Sequence, residues 1–230
     1  MLKFPFEYVL LDADETIFDF KKAEKLAVLS TAESFSLRLS ENDTEVYSQI
    51  NMSFWKLLEL GKVTRDELKV LRFEKLFEHL GISDINPQEF AKIYEDNLSE
   101  NGILYDGALE FVRKLSEVSK VYIVTNGLKK CQHGRMDSSP IREFISGIFI
   151  SEEIGYTKPD KRFFDAIFDT LGICDKSKVI IIGDSLSSDM QGGRNAGITT
   201  CRYSVSEQYE VNPLCDYTFS DYNEFFYIFQ

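Results

Sequence analysis

The chain has 230 residues, 43% of them hydrophobic and 28% charged, a composition that supports a substantial buried core and excludes disordered, collagenous and coiled-coil classes. At roughly 150 residues per domain, this length suits one large domain or a core carrying a smaller insertion. Lysine and arginine number 26 against 38 aspartate and glutamate, and the resulting net charge of −12 repels a phosphate backbone and counts against nucleic-acid partners.

The first apolar run, Tyr8 to Leu11, is short and is stopped by Asp12. The stretch before it is interrupted by Glu7 and shows no small-residue cleavage site, so it does not read as a secretory signal and a cytoplasmic location is expected. From about 17 to 100 the pattern is helical, with helices expected over 21–38, 42–60, 64–80 and 87–98. Thr64 followed by Glu67 is a capping-box pattern, continued by Val70, Phe73, Phe77 and Leu80 at helical spacing. This is too much chain for a crossover, so a helical domain inserted after the first strand is expected.

Beyond the insertion, a helix over Asp106 to Val118 leads to a second apolar run, Val121 to Val124, stopped by Thr125, Asn126 and Gly127. A third run, Ile148 to Ile150, precedes a helix over Pro159 to Leu171 with proline at its expected first position. The fourth and strongest run, Val179 to Ile182, is stopped by Gly183 and Asp184, and Ile198 to Tyr203 and Tyr217 to Phe219 add later strands. Short β-branched runs alternating with single helices give an α/β fold, a doubly wound parallel sheet. The closing run Phe225 to Phe229 is the longest uninterrupted apolar stretch, far short of the ~20 residues of a membrane span, and is expected to pack on the core.

Ligands of such a sheet sit beyond the carboxyl ends of its strands, so the polar residues that stop the runs should converge: Asp12 and Asp14, Thr125 and Asn126, Asp184 and Asp189, with Lys158 on a loop at the same edge. Four carboxylates and one lysine at close range raise one another's pKa unless another cation is present. No C-x-x-C pair exists and only His79 and His133 are available, so zinc is disfavoured, the four cysteines are expected as free thiols, and hard oxygen ligands select Mg²⁺. Acidic Mg²⁺ clusters mostly serve phosphoryl transfer, in which a carboxylate can itself be the nucleophile and needs a second acid/base group nearby. Asp12 and Asp14 have that spacing.

These segments resemble the haloacid dehalogenase superfamily of aspartyl-nucleophile phosphohydrolases. Asp12-Ala13-Asp14-Glu15-Thr16 matches its D-x-D-x-T first motif, Thr125 the second, Lys158-Pro159-Asp160 the third, and Gly183-Asp184-Ser185 through Ser188-Asp189 the fourth, in order. The resemblance implies a Rossmann-like core of residues 1–16 and 101–230 and a helical cap of residues 17–100. It implies Asp12 as nucleophile and Asp14 as general acid/base that also lends its backbone carbonyl to Mg²⁺. Thr125 and the backbone near Asn126 would hold phosphoryl oxygens, Lys158 would neutralise nucleophile and phosphate, Asp12 and Asp184 would bind metal, and Asp189 would support the metal or Lys158 from slightly further out. Glu15 departs from the glycine commonest at its position, and its side chain is expected to point away from the phosphate.

The wider strings, with Val124-Thr125-Asn126-Gly127 and Gly192-Gly193-Arg194-Asn195-Ala196-Gly197, are similar to the bacterial pyrimidine nucleotidase subgroup. That similarity implies a small phosphorylated metabolite as partner, a nucleoside monophosphate, with no nucleic acid and no membrane. Phosphoglycolate or sugar phosphate phosphatase activity stays open, as does a noncatalytic module on the same fold. Asp14 argues against a dehalogenase, which does not need a second aspartate. Blander readings stand beside these: Thr125-Asn126-Gly127 as a turn in which Asn and Gly supply φ > 0, the Gly192-Gly193 pair as room for a helix against the sheet, and Phe54 and Trp55 as insertion core. Residues just after the first motif, around Phe18, and insertion residues facing them are the expected contacts for a nucleobase.

Overall fold

The computed structural model describes residues 4–204 and 212–229. Their elements run β1 (Tyr8–Leu11), α1 (Phe20–Ser34), α2 (Glu41–Glu59), α3 (Arg65–Leu80), α4 (Pro87–Glu100), α5 (Ala108–Ser116), β2 (Lys120–Thr125), α6 (Lys129–Ser138), β3 (Gly147–Ile150), α7 (Ser151–Ile154), α8 (Lys161–Leu171), β4 (Val179–Gly183), α9 (Gln191–Ala196), β5 (Thr199–Tyr203), β6 (Tyr217–Phe219) and α10 (Tyr222–Ile228). The strands form one parallel sheet in the order β3-β2-β1-β4-β5-β6. The order reverses between β1 and β4, which is the topological switch point where open sheets of this kind place their ligands. None of the described helices is long and apolar enough to cross a membrane.

Alternation along the strands explains why both faces are covered. Val9, Leu11, Ile180 and Ile182 join Phe111, Val112, Phe225 and Phe226 of α5 and α10 on one face. Leu10, Val179 and Ile181 join Phe163, Phe164 and Ile167 of α8 on the other. A two-residue period with both sets apolar leaves a strand no solvated side.

A third cluster lies in the insertion, where Ala23, Val28, Tyr47, Phe73, Leu76, Phe90 and Tyr94 of α1–α4 pack together with Leu128 and Cys131 from the start of α6. Ser40 and Thr64 cap α2 and α3 through capping boxes, and Asn86 caps α4 with Pro87 in its first turn. The two linkers to the core pair with each other: Asp19 donates to the Ile103 carbonyl at 2.9 Å and Tyr105 to that of Ile17 at 3.0 Å.

Several boundaries differ from the sequence reading, two of them for a visible local reason. The first insertion helix ends at Ser34 rather than near 38, because Ser36 takes φ 56° and turns the chain. Pro159 is not the first residue of α8. The Asp160 side chain accepts from the Arg162 backbone N–H and is the cap, so the helix begins at Lys161.

The glycine pair before Gly197 does make room for close packing. A Cβ on Gly193 would lie 2.5 Å from Thr200 Cγ2 and 2.7 Å from Ile181 Cγ2, inside van der Waals contact. Gly193→Ala is therefore expected to destabilise the fold by about 1–3 kcal/mol in urea unfolding, the usual effect of overpacking a filled interface. An unchanged urea midpoint would show that α9 can move off the sheet.

Candidate active site

Asp12 directly follows β1, and its backbone N–H donates to the Ile182 carbonyl at 2.8 Å, which fixes it beside the end of β4. Its side chain is buried, 7% exposed, and both oxygens are engaged. Thr16 Oγ1 donates to Oδ2 at 3.0 Å and Lys158 Nζ donates to Oδ1 at 2.6 Å. The same ammonium donates to Asp189 Oδ1 and to the Val124 carbonyl, each at 2.7 Å. Three protons meet three acceptors, so the ammonium has one orientation.

Lys158 is held at its backbone as well. The Asn126 amide accepts from the Lys158 N–H and donates to the Lys158 carbonyl, both at 2.9 Å. Asn126 thus fastens the Lys158 loop to the end of β2, a contact the motifs did not suggest. Neighbouring Thr125 Oγ1 accepts from the Gly127 N–H at 3.0 Å. The φ > 0 reading of this turn is wrong, because neither Asn126 nor Gly127 takes a positive φ. Gly127 is needed for space, since a Cβ there would lie 2.1 Å from Gln132 Nε2.

Asp184 directly follows β4, and its carbonyl accepts from Arg202 Nε at 3.0 Å. The π-helical stretch Leu186–Met190 then returns Asp189 beneath it. There Asp189 Oδ2 accepts from the Ser185 N–H at 3.2 Å, and a Cβ on Gly183 would collide with that carboxylate at 2.3 Å. The Gly183-Asp184-Ser185 string is thus shaped by Asp189. This residue lies directly on Lys158 and closer in than the sequence suggested.

Asp12, Asp184 and Asp189 can bring carboxylate oxygens within 4.8 Å of one another. Burial, then the Asp189 charge, hold Asp12 well above the carboxylate range. The same two causes push Asp184 up to about 7. For Lys158, burial acts to lower the pKa, but Asp12 and Asp189 outweigh it and keep the ammonium charged. One ammonium facing three carboxylates leaves a surplus of negative charge. A divalent cation with a preference for hard oxygen donors fits that surplus, and Mg²⁺ is of this type.

Asp14 lies apart from this group. Its Oδ2 accepts from Gln132 Nε2 at 2.7 Å and its Oδ1 pairs with Arg135 Nη2 at 2.6 Å. Neither α6 residue belongs to a motif, and the three-residue spacing that puts them on one helix face was the only signal for them. Glu15 takes φ 59°, the left-handed region that favours glycine. Its carboxylate accepts from the Lys21 N–H and from Tyr105 Oη, both at 3.1 Å. Phe18 is fully buried in the core, with the Arg135 guanidinium 5.2 Å from its ring centroid, so it cannot stack on a base. Trp55 packs against the insertion core, and the His133 ring lies 3.2 Å from Glu153 rather than in the site.

At the end of α2 in the insertion, Glu59 has a raised pKa from partial burial and then from the Asp189 charge. The insertion is tied to α7 by Arg65 Nη2 donating to Ser151 Oγ at 2.6 Å and by Lys69 beside Glu152 at 3.7 Å.

A profile of the haloacid dehalogenase-like hydrolases matches residues 9–203. The chain is 36% identical over 193 residues to the HAD-hydrolase YfnB of Bacillus subtilis, covering 84% of this chain and 82% of that one. It is 34% identical over 200 residues to the pyrimidine 5'-nucleotidase PynA of Streptococcus pneumoniae, covering 86% and 84%. To the pyrimidine 5'-nucleotidase YjjG of Escherichia coli it is 30% identical over 195 residues, covering 85% and 84%. The crystal structure of YfnB bound to magnesium matches with a TM-score of 0.90 at 32% identity, over 99% of this chain and 100% of that one.

The raised acids carry a stability consequence. Asp184 goes from an ordinary 3.8 to about 7, so the folded state binds its proton more tightly than the unfolded state. Stability from this group is greatest below the unfolded value and is lost as pH rises through about 7. In chelator, the melting temperature of the unmodified protein should therefore fall more steeply between about pH 4 and about pH 7 than that of Asp184→Asn, and added Mg²⁺ should flatten the slope. Parallel slopes for the two proteins would show that Asp184 ionises as an exposed carboxylate does.

Proposed function

The chain belongs to the haloacid dehalogenase-like hydrolases, and from that premise we propose that it is a Mg²⁺-dependent phosphomonoester hydrolase, a nucleotidase that releases phosphate from nucleoside monophosphates through an aspartyl phosphate on Asp12. The observation that carries the reading is the buried Lys158 ammonium shared between Asp12 and Asp189 at the ends of the strands, with Asp14 two residues beyond Asp12. The magnesium in the YfnB crystal structure and the names of PynA and YjjG support the metal and the substrate class.

Asp12 attacks phosphorus as the ester P–O bond breaks, and Asp14 gives its proton to the departing oxygen. Asp14 then takes a proton from the water that attacks the aspartyl phosphate, releasing inorganic phosphate and restoring Asp12. Lys158 neutralises the nucleophile before attack and the phosphoryl oxygens after it, while Thr125 and the backbone near Asn126 bind those oxygens. Mg²⁺, held by Asp12, Asp184 and the Asp14 carbonyl with Asp189 behind them, would supply positive charge to the phosphoryl group. We take residues 1–16 and 101–230 as the core and 17–100 as the cap, whose closure excludes water until the ester bond has broken. The interdomain movement described for YfnB supports such closure. A cytoplasmic location accords with a small-metabolite substrate and four free cysteines.

Asp12→Asn should keep the fold and lower turnover by at least about 10³-fold, as loss of the nucleophile does in other covalent catalysts. Full turnover in this variant, or after exhaustive chelation, would rule out the mechanism.

Substrate choice is tested separately, with Mg²⁺ and a panel of pyrimidine and purine monophosphates, phosphoglycolate and hexose phosphates. Pyrimidine monophosphates are expected to give the highest kcat/KM, with broad activity across small nucleotides. A clear preference for phosphoglycolate or a hexose phosphate would remove the nucleotidase reading and leave the phosphatase chemistry standing.

A further inference from the structure

We infer that Gln132 and Arg135, which lie outside all four motifs, are positioning residues that fix the direction of the Asp14 carboxyl for proton transfer to the leaving group. The inference rests on the phosphatase reading above.

Both oxygens of Asp14 face α6: Oδ2 accepts from the Gln132 amide at 2.7 Å, and Oδ1 lies 2.6 Å from Arg135 Nη2 in an ion pair that lacks hydrogen-bond geometry. Both α6 side chains are almost fully buried, 2% and 1% exposed, so their own rotamers are set by packing. Arg135 lies 5.2 and 5.6 Å from the ring centroids of Phe18 and Phe20, and its Nε and Nη1 have no hydrogen-bond partner among the described residues. A buried guanidinium requires a countercharge, and Asp14 is its carboxylate partner.

Room for this bracket is built into three glycines. A Cβ on Gly127 would meet Gln132 Nε2 at 2.1 Å, one on Gly102 would meet the Arg135 carbonyl at 2.8 Å, and one on Gly134 would meet Ser99 Cβ at 2.7 Å. The first lets Gln132 pass under the turn after β2 to reach Asp14. The other two bring α6 against the end of α4 and the linker that follows it. Asp14 is thereby oriented by a helix that is itself seated on the insertion. A carboxyl group held in one direction is preorganised for proton exchange once it takes up a proton, whereas a free aspartate side chain has to find that direction at each turnover.

Leaving-group chemistry isolates this role from a purely structural one. The 4-nitrophenolate ion departs without a proton, whereas the ribose 5'-oxygen of a nucleotide needs one, and kcat/KM reports every step up to that departure. The experiment compares kcat/KM of the unmodified enzyme, Gln132→Leu, Arg135→Met and Arg135→Lys on 4-nitrophenyl phosphate and on uridine 5'-monophosphate, or on whichever alkyl phosphate of the panel is fastest.

Gln132→Leu and Arg135→Met should lose about tenfold or more on the alkyl phosphate and less than about threefold on 4-nitrophenyl phosphate, a part of the 10²–10⁴-fold that general acid catalysis supplies. Arg135→Lys, which keeps the charge, should recover part of that loss. Equal losses on both substrates, or none on either, would overturn the inference and leave the phosphatase reading intact. If thermal melts show that Arg135→Met does not fold, Gln132→Leu, which removes no charge, decides the outcome. An unmodified enzyme inactive on both substrates defeats the phosphatase reading and this inference together.

Discussion

The site depends on one buried ammonium. Lys158 Nζ sits between Asp12, Asp189 and the Val124 carbonyl, and so joins the ends of β1 and β2 to the stretch that follows β4. Removing one partner of a buried ion pair typically costs about 3–5 kcal/mol because the other charge is left unpaired, so this contact constrains everything around it. The Asn126 amide holds the Lys158 backbone, the π-helical Leu186–Met190 stretch presents Asp189, and Gly183 lacks a side chain because Asp189 occupies that space. These features come from two distant stretches of chain, and each is accounted for by where the ammonium has to be.

A second constraint concerns the insertion, which is not a free lobe. Its apolar cluster takes in Leu128 and Cys131 from α6, Cys131 Sγ lies 3.6 Å from the Glu95 carbonyl, and Lys130 pairs with Asp96. Inside the insertion, Asn51 donates to Glu24 at 2.6 Å and accepts from Arg72 at 3.0 Å, which links α1, α2 and α3 through buried polar groups. Such contacts fix the helices relative to one another, since each unmet group in an apolar interior costs about 1–3 kcal/mol. Under the proposed closure, movement against the core would concentrate at the linkers and at looser polar contacts such as Arg65 with Ser151.

What was legible in the sequence follows from this arrangement. The strands were readable because both faces are apolar, and Asp12, Thr125 and Asp184 were readable because a polar residue ending such a run must lie at the carboxyl edge. The insertion helices were readable from their periodicity and from the Thr64–Glu67 capping box. Contacts set by tertiary packing were not readable. Gln132 lies 118 residues from Asp14 along the chain, and nothing local distinguishes it from a solvated helix glutamine. Gly127 read as a conformational glycine although it is a spatial one, and Phe18 read as a base contact although the paired linkers draw it into the core.

The two ends of the proposed substrate therefore meet different parts of the chain. In the proposed reaction, residues on the strand ends would face the phosphoryl group and be blind to what it is attached to. The leaving-group oxygen, by contrast, must lie where Asp14 can reach it, and Asp14 is held by α6, the same helix on which α4 and the insertion core are seated. Any group beyond that oxygen is bounded by the insertion. Under the proposed mechanism, selectivity for the leaving group and orientation of its proton donor would share one helix, and a change in how α4 packs on Gly134 would alter both while leaving Lys158 and its carboxylates in place.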